Sequence, residues 1–135
     1  MRLIAAFALS VAMAATGASA SADSGLAAER DINDGLLVIA AADKIRRACS
    51  SISGRLITAR SYATQLKSLA EDRGYSENEI DAYINNDVKK AEMRERRNAY
   101  FASKGASNLD PASLCVLGRD EIVKGTRIGQ LLRAK

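Results

Sequence analysis

Residues 74–80, GYSENEI, contain the clearest helix boundary in the chain. Ser76 and Glu79 have the spacing of a capping box, in which each side chain accepts a hydrogen bond from the backbone N–H of the other residue. Gly74 is of the residue type that commonly ends a helix, because glycine adopts the left-handed backbone conformation at little steric cost. The stretch therefore predicts that one helix ends at this glycine and that another begins at Glu77.

Apolar residues upstream of this boundary recur every three or four positions, which is the period of a helix with one buried face. The recurring residues are Val38, Ala41, Ile45, Cys49, Ile52, Leu56, Ala59, Ala63, Leu66 and Ala70. Serines and a glycine within 50–54 are weak helix formers and predict a kink or a short break. The pattern does not distinguish one bent helix over 34–73 from two helices. We expect order to begin near Asn33 or Asp34, either of which can cap a helix.

Two further helices are predicted downstream of the boundary. The first runs from Glu77 to Ser103 or Lys104. The second begins at Pro111 with Asp110 as its cap, because proline is tolerated at the first helical position. Its buried side is predicted to consist of Leu114, Leu117, Ile122 and Val123. No alternating apolar and polar run predicts a strand, so the predicted fold class is all-α, a small bundle of three to four helices.

The start of the chain has the organisation of a cleavable signal peptide. Arg2 provides a positive n-region, residues 3–15 are uncharged, and small residues precede cleavage after Ala20 or Ala22. As a helix, the uncharged run reaches only about 20 Å, which is short of the membrane hydrocarbon core of about 30 Å. We therefore expect export of the mature protein to the periplasm.

These boundaries predict a signal peptide at 1–20, a flexible lead-in at 21–33 and a single helical domain at 34–135. The structure of the last segment, 126–135, is left open between a short turn and a tail. Cys49 and Cys115 are the only cysteines. In an oxidising compartment two thiols of a small domain are expected to pair, so we predict one structural disulfide between them.

The composition argues against an enzyme. The chain contains no histidine, the commonest general base and metal ligand, and no nucleotide-binding or nucleophile motif. Asp120 and Glu121 are adjacent carboxylates, but helix neighbours point about 100° apart, so we interpret them as solvated surface charges. We expect no catalytic residue, no cofactor and no metal site. The alternative is a small periplasmic enzyme or ligand carrier that uses carboxylates or an interhelical cavity.

The most conspicuous charged feature is the run at 89–97, KKAEMRERR. A helical projection separates a core face from a basic face. The projected core face consists of Ile80, Ile84, Val88, Ala91, Ala99 and Ala102. The candidate partner-binding residues on the basic face are Lys89, Lys90, Arg94, Arg96 and Arg97. They form either a solvated face, supported by an i,i+4 pair of Glu92 with Arg96, or a docking face for an acidic protein or anionic lipid headgroups. The net charge of +4 and the export signal do not favour nucleic acid.

Short motifs spread along the chain carry a family resemblance. They are Asp34-Gly35-Leu36, Ile45-Arg46 to Cys49, Gly74-Tyr75-Ser76, Glu79 to Tyr83, Asp110-Pro111-Ala112 to Cys115, Leu117 to Ile122 and Ile128-Gly129 to Leu131-Leu132. Through them the chain resembles a family of short exported bacterial proteins, domain of unknown function 5333, over nearly all of the segment after the signal peptide. The family has no assigned activity, so the resemblance implies no catalytic residue. It implies a non-catalytic accessory subunit on the periplasmic side of an inner-membrane complex, the respiratory NADH:quinone oxidoreductase.

Overall fold

The computed structural model describes residues 25–135, so the predicted signal peptide at 1–20 lies outside the described residues. The elements are a 3-10 turn Gly25–Ala28, α1 Arg30–Ala48, β1 Ile52–Gly54, α2 Leu56–Asp72, α3 Glu77–Asn85, α4 Asp87–Ser103, α5 Pro111–Lys124, α6 Arg127–Gln130 and β2 Leu132–Ala134. The predicted helical class is confirmed, but the described residues form six α-helices instead of three to four. Within this part of the chain, no helix is long and apolar enough to span a bilayer.

The first helix begins earlier than predicted. Glu29 is the N-cap of α1, so Asn33 and Asp34 lie inside the helix instead of capping it. The buried amide of Asn33 donates hydrogen bonds of 2.8 Å to the carbonyl oxygens of Leu26 and Glu29. These bonds tie α1 to the preceding 3-10 turn. The predicted flexible lead-in is therefore wrong for residues 25–33, which belong to the folded domain.

The predicted break at 50–54 is confirmed, and it separates two helices, α1 and α2. Its strand β1 pairs antiparallel with β2, with Ser53 opposite Arg133. The sequence does not predict this sheet, because strands of three residues are too short to show an alternating pattern. Pairing of such distant segments requires the rest of the fold to bring them together.

Both halves of the predicted capping box form at the start of α3. The Ser76 Oγ accepts a hydrogen bond of 3.1 Å from the Glu79 N–H, and Glu79 accepts one of 3.5 Å from the Ser76 N–H. The predicted long helix nevertheless ends at Asn85, because Asn86 has extended backbone angles of φ −70° and ψ 125°. The Asn86 side chain then caps α4 by accepting a bond of 3.0 Å from the Lys89 N–H.

The extended residue between α3 and α4 changes which face of α4 is buried. A projection at constant angle across this point is not valid, because one non-helical residue resets the helical phase. Val88, on the projected core face, is 63% exposed, whereas Phe101 is fully buried. Ala99 and Ala102 are also exposed. The projected core face is therefore wrong for α4.

The core lies where α1, α4, α5, α6 and the strand pair meet. Its largest fully buried side chains are Phe101, Ile45, Ile52, Leu114, Leu131 and Leu132. Val123, predicted to be buried, is 86% exposed. It follows Leu114 by nine positions, about two and a half helical turns, and so projects from the opposite side of α5. Leu56 of the predicted apolar stripe is also exposed, at 65%.

The predicted disulfide is present. Cys49, directly after α1, bonds to Cys115 near the start of α5, with a Cα–Cα distance of 5.2 Å. The two residues are 66 positions apart in sequence. The bond therefore joins two core helices that have no local connection.

Helix α5 makes two close approaches at glycines. A Cβ atom at Gly118 would lie 2.6 Å from side-chain carbons of Ile45 and Ile52. A Cβ atom at Gly129 of α6 would overlap the backbone carbonyl oxygen of Glu121. Residues 126–135, left open by the sequence, form α6 and β2 and cover this side of the core.

Candidate docking groove

The five predicted partner-binding residues lie on both sides of the contact between α4 and α1, and they line two grooves. The paired groove, of about 400 Å³, is lined by Ala27, Arg30, Asn33, Asp34, Tyr83, Lys89, Glu92, Met93 and Arg96. The cationic groove, of about 370 Å³, is lined by Leu36, Ile39, Ala40, Asp43, Arg47, Tyr83, Ile84, Lys89, Lys90, Met93, Arg94 and Arg97. The fold thus does not present the five cations as one face.

Two of the three cations that line the paired groove are neutralised by carboxylates of the chain itself. Arg96 forms an ion pair of 2.9 Å with Asp34 of α1. Lys89 forms one of 3.0 Å with Glu92. The predicted pair of Glu92 with Arg96 is wrong, because α1 supplies a carboxylate that captures the arginine. The ion pair between Arg96 and Asp34 holds α4 against α1, so this arginine of the basic run has a structural role.

Cations of the cationic groove outnumber its acids. Five basic side chains line it, of which Lys89 is already paired with Glu92, and Asp43 is the one acid among the lining residues. Asp43 already accepts from Arg46 at 2.6 Å and from Arg47. The side chains of Lys90 and Arg94 are exposed, and neither makes a hydrogen bond or ion pair with any residue of 25–135. The described residues therefore leave this groove with an unbalanced positive charge.

Arg97 is less exposed than Arg47, Lys90 and Arg94 of the same groove. It is half-buried, and its guanidinium donates hydrogen bonds of 3.2 and 3.0 Å to the neutral Asn98 side chain. Its charge also lies over the Phe101 ring, 6.0 Å from the centroid. Burial, followed by the charges of Arg47 and Arg94, lowers the pKa of Arg97 below its ordinary value. The positive charges of Arg47 and Arg94 thus disfavour the charged form of Arg97 where solvent is partly excluded, and the Asp43 carboxylate offsets part of this effect.

Apolar side chains lie beside these cations. Leu36, Ile39 and Ala40 of α1 are half-buried in the groove wall. On the other side, Met93 is half-buried and Ile84 is 45% exposed. An occupant of the groove would therefore meet an apolar surface and a cluster of positive charge together.

The adjacent carboxylates of α5 do not converge on a common point. Asp120 forms an ion pair of 2.6 Å with Lys124. Glu121 is only 2% exposed and accepts hydrogen bonds from the Tyr100 and Thr126 hydroxyls. Burial, followed by the bond to Glu121, raises the pKa of Tyr100. The interpretation of Glu121 as a solvated charge is wrong, because partners from α4 and from the start of α6 satisfy it inside the protein.

The other concavities and side-chain clusters of the described residues are weaker candidates for a functional site. A concavity of about 770 Å³ follows one side of α2 alone, from Ile57 to Asp72, and is widely open. Within residues 25–135, no cluster of cysteine, aspartate and glutamate side chains has the arrangement of a metal site. The cationic groove is therefore the candidate site that combines enclosure, charge and apolar surface.

Comparison with known proteins agrees with the resemblance seen in the sequence motifs. No curated protein and no solved structure has significant similarity to the chain. A match to a family of unknown function covers residues 24–133, which include both cysteines and the three helices that line the cationic groove. The chain therefore belongs to this family, DUF5333.

Proposed function

We propose that this protein is a non-catalytic accessory subunit that docks on the periplasmic side of an inner-membrane complex through the cationic groove. The observation that carries the proposal is the unbalanced cluster of Lys90, Arg94 and Arg97 beside apolar side chains. Isolated cations on an open surface have little energetic consequence. A half-buried arginine with two arginine neighbours is costly, and an acidic partner would reverse that cost.

The lining residues also have the composition of an interface. Arginine, methionine and tyrosine are enriched where proteins bind one another, and arginine and tyrosine are common among the residues that dominate binding energy. All three types line the cationic groove. The signal sequence supports the periplasmic location, and the family resemblance makes respiratory NADH:quinone oxidoreductase the first complex to test.

Contacts of the α5 carboxylates favour this role over the alternative of an acid–base enzyme. Asp120 is engaged by Lys124, and Glu121 is directed into the protein. A pair of carboxylates that share no accessible space is poorly arranged to act on one substrate atom.

The proposal is tested by isolating gently solubilised inner membranes from cells that carry the tagged protein. We expect the protein to co-migrate with a defined membrane complex on native gels and to fractionate with the periplasm after osmotic shock. A Lys90→Glu/Arg94→Glu variant should lose most of this co-migration.

The matched control is Arg60→Glu/Arg133→Glu, which makes the same charge change at exposed residues outside the groove. It should co-migrate as the unchanged protein does. Recovery of the unchanged protein solely as a free soluble monomer would refute the accessory role.

A further inference from the structure

The length of the cationic groove suits a short segment of protein better than a single small ion. Its α1 wall extends from Leu36 to Arg47, which corresponds to about 16 Å at 1.5 Å per residue, or about three helical turns. The opposite wall is formed by the end of α3 and by α4 from Lys89 to Arg97. The groove therefore offers two helical walls along which a third helix can lie.

The walls also decide which backbone conformation the segment can have. Backbone N–H and C=O groups of α1 and α4 are already engaged in their own helices. An extended segment would find no backbone partners there and would leave its own polar groups unsatisfied. A helical segment satisfies its backbone internally and can bind through side chains alone.

The two kinds of lining residue define two requirements for that segment. Leu36, Ile84 and Met93 require apolar side chains opposite them. Arg94 and Arg97 require carboxylates, because the planar guanidinium matches a carboxylate with two parallel hydrogen bonds. A helix meets both requirements with apolar residues on one face and acidic residues three or four positions apart at its edge.

The neighbouring paired groove has a smaller charge excess, because Arg30 is the one cation of its lining that no carboxylate of residues 25–135 pairs. There, Asp34 and Glu92 neutralise Arg96 and Lys89. In the cationic groove Lys90, Arg94 and Arg97 have no carboxylate partner among the described residues. The missing negative charge is therefore best supplied from outside the chain.

A lipid surface fits the groove less well than a helix does. Proteins that lie on membranes place protruding apolar side chains into the boundary between headgroups and acyl chains. Here Arg97 is half-buried, whereas Lys90 and Arg94 are exposed. A flat array of headgroups would meet the exposed Lys90 and Arg94 more readily than the half-buried Arg97.

We infer that the cationic groove binds an acidic amphipathic helix of a partner protein, with its apolar face on Leu36, Ile84 and Met93 and its carboxylates on Arg94 and Arg97. This inference rests on the proposed function and names the chemistry of its partner. The groove then selects partners by the spacing of acidic residues along a helix.

The first test measures binding of synthetic peptides to the disulfide-bonded protein by fluorescence anisotropy. One peptide is a helix of about three to four turns with leucines on one face and glutamates at i,i+4 spacing at its edge. The second peptide carries glutamine at each glutamate position. We expect the glutamate peptide to bind at least tenfold more tightly, with an affinity that falls as salt is raised.

Variants locate the binding site. Arg94→Glu should weaken binding of the glutamate peptide at least tenfold, and Ile84→Ser should weaken it severalfold. Arg60→Glu, with the same charge change on α2, should alter it less than twofold. Equal binding of the two peptides, or equal losses in Arg94→Glu and Arg60→Glu, would overturn the inference.

The second test identifies the natural occupant without changing the cations. A photo-crosslinking amino acid at Ile84 is activated in living cells, and the crosslinked segment is sequenced by mass spectrometry. An acidic amphipathic helix supports the inference. Crosslinks to an uncharged or extended segment, or to phospholipid alone, contradict it.

Failure of this inference is distinguishable from failure of the proposed function. If Lys90→Glu/Arg94→Glu still co-migrates with the membrane complex, the accessory role stands and the groove is not its docking site. If the groove binds the glutamate peptide but the protein has no membrane partner, the inference stands and the accessory role fails. Binding to phosphatidylglycerol vesicles with no binding to the glutamate peptide identifies a lipid occupant and overturns the inference.

Discussion

Arg73 joins the end of α2 to the start of α1. Its guanidinium donates hydrogen bonds of 2.8 and 2.6 Å to the two Asp31 oxygens and another to Glu29. These bonds hold the pKa of Asp31 at about 2, below the ordinary value of 3.8. Because the folded-state pKa is depressed, the stabilisation is present above about pH 4 and is lost as the pH falls towards 2.

Replacement of Arg73 tests whether this residue lowers the pKa of Asp31 and so makes stability depend on pH. In Arg73→Gln the pKa of Asp31 should rise towards 3.8, because the positive partner is gone. The unchanged protein should therefore lose more stability than the variant between about pH 4 and pH 2. Carboxyl-carbon NMR titration and urea unfolding measure the two effects. An Asp31 pKa that does not move in Arg73→Gln, or that moves equally in Arg60→Gln, would contradict the assignment.

Gly129 allows α6 to pack against the backbone of α5. A methyl group there would overlap the Glu121 carbonyl oxygen. We expect Gly129→Ala to lower the free energy of unfolding by about 3 kcal/mol or more, because backbone atoms cannot move aside cheaply. Gly54→Ala is the control, since its new methyl would approach the flexible Arg46 side chain and would make an ordinary contact of 3.5 Å with Leu56. Equal stability losses in urea unfolding would argue against the close contact.

At the scale of single residues, local sequence does not predict which charges are buried. Glu121 looks like its neighbour Asp120 in the sequence, yet it is enclosed. Its partners Tyr100 and Thr126 belong to other elements. A hydrogen bond between distant elements leaves no local pattern, so the sequence predicts a surface position for Glu121.

At the scale of elements, Asn86 separates α3 from α4 and caps the second helix. Asn86→Ala should cost about 1 kcal/mol of unfolding free energy, as loss of an N-cap side chain typically does. Asn86→Asp should retain most of the stability, because a carboxylate also accepts the Lys89 N–H bond. Asn78→Ala, an exposed asparagine elsewhere in the same helix pair, is the control. Chemical denaturation that finds all three variants equally stable would show that the cap is unimportant.

Helix starts were predictable where a cap and its partner lie within one turn. The starts of α3 and α5 follow from Ser76 with Glu79 and from Asp110 with Pro111. The boundary at Asn86 was not predictable, because asparagine within a polar run is compatible with a continuing helix. The start of α1 was missed because Asn33 bonds backward to the preceding turn, which places it inside the helix.

At the scale of the whole molecule, the disulfide holds α5 against the end of α1. A crosslink between residues 66 positions apart removes denatured-state entropy equivalent to about 4 kcal/mol. Cys115→Ser should therefore unfold at a much lower urea concentration than the oxidised protein. The reduced protein and the Cys49→Ser/Cys115→Ser variant should show similar losses. A midpoint unaffected by reduction or by Cys115→Ser would exclude a structural contribution.

Some properties of this protein follow from its sequence alone, because they depend on residues close together in the chain or on the number of cysteines. The helical class follows from apolar periodicity, the α3 and α5 starts follow from caps one turn long, and the disulfide joins the only two cysteines. The basic run was visible too, but the distribution of its cations between the paired groove and the cationic groove was decided by tertiary structure. That distribution depends on which face of α4 is turned towards α1 after Asn86, and on the contact of Asp34 in α1 with Arg96. These residues are far apart in sequence, so their contacts leave no local pattern.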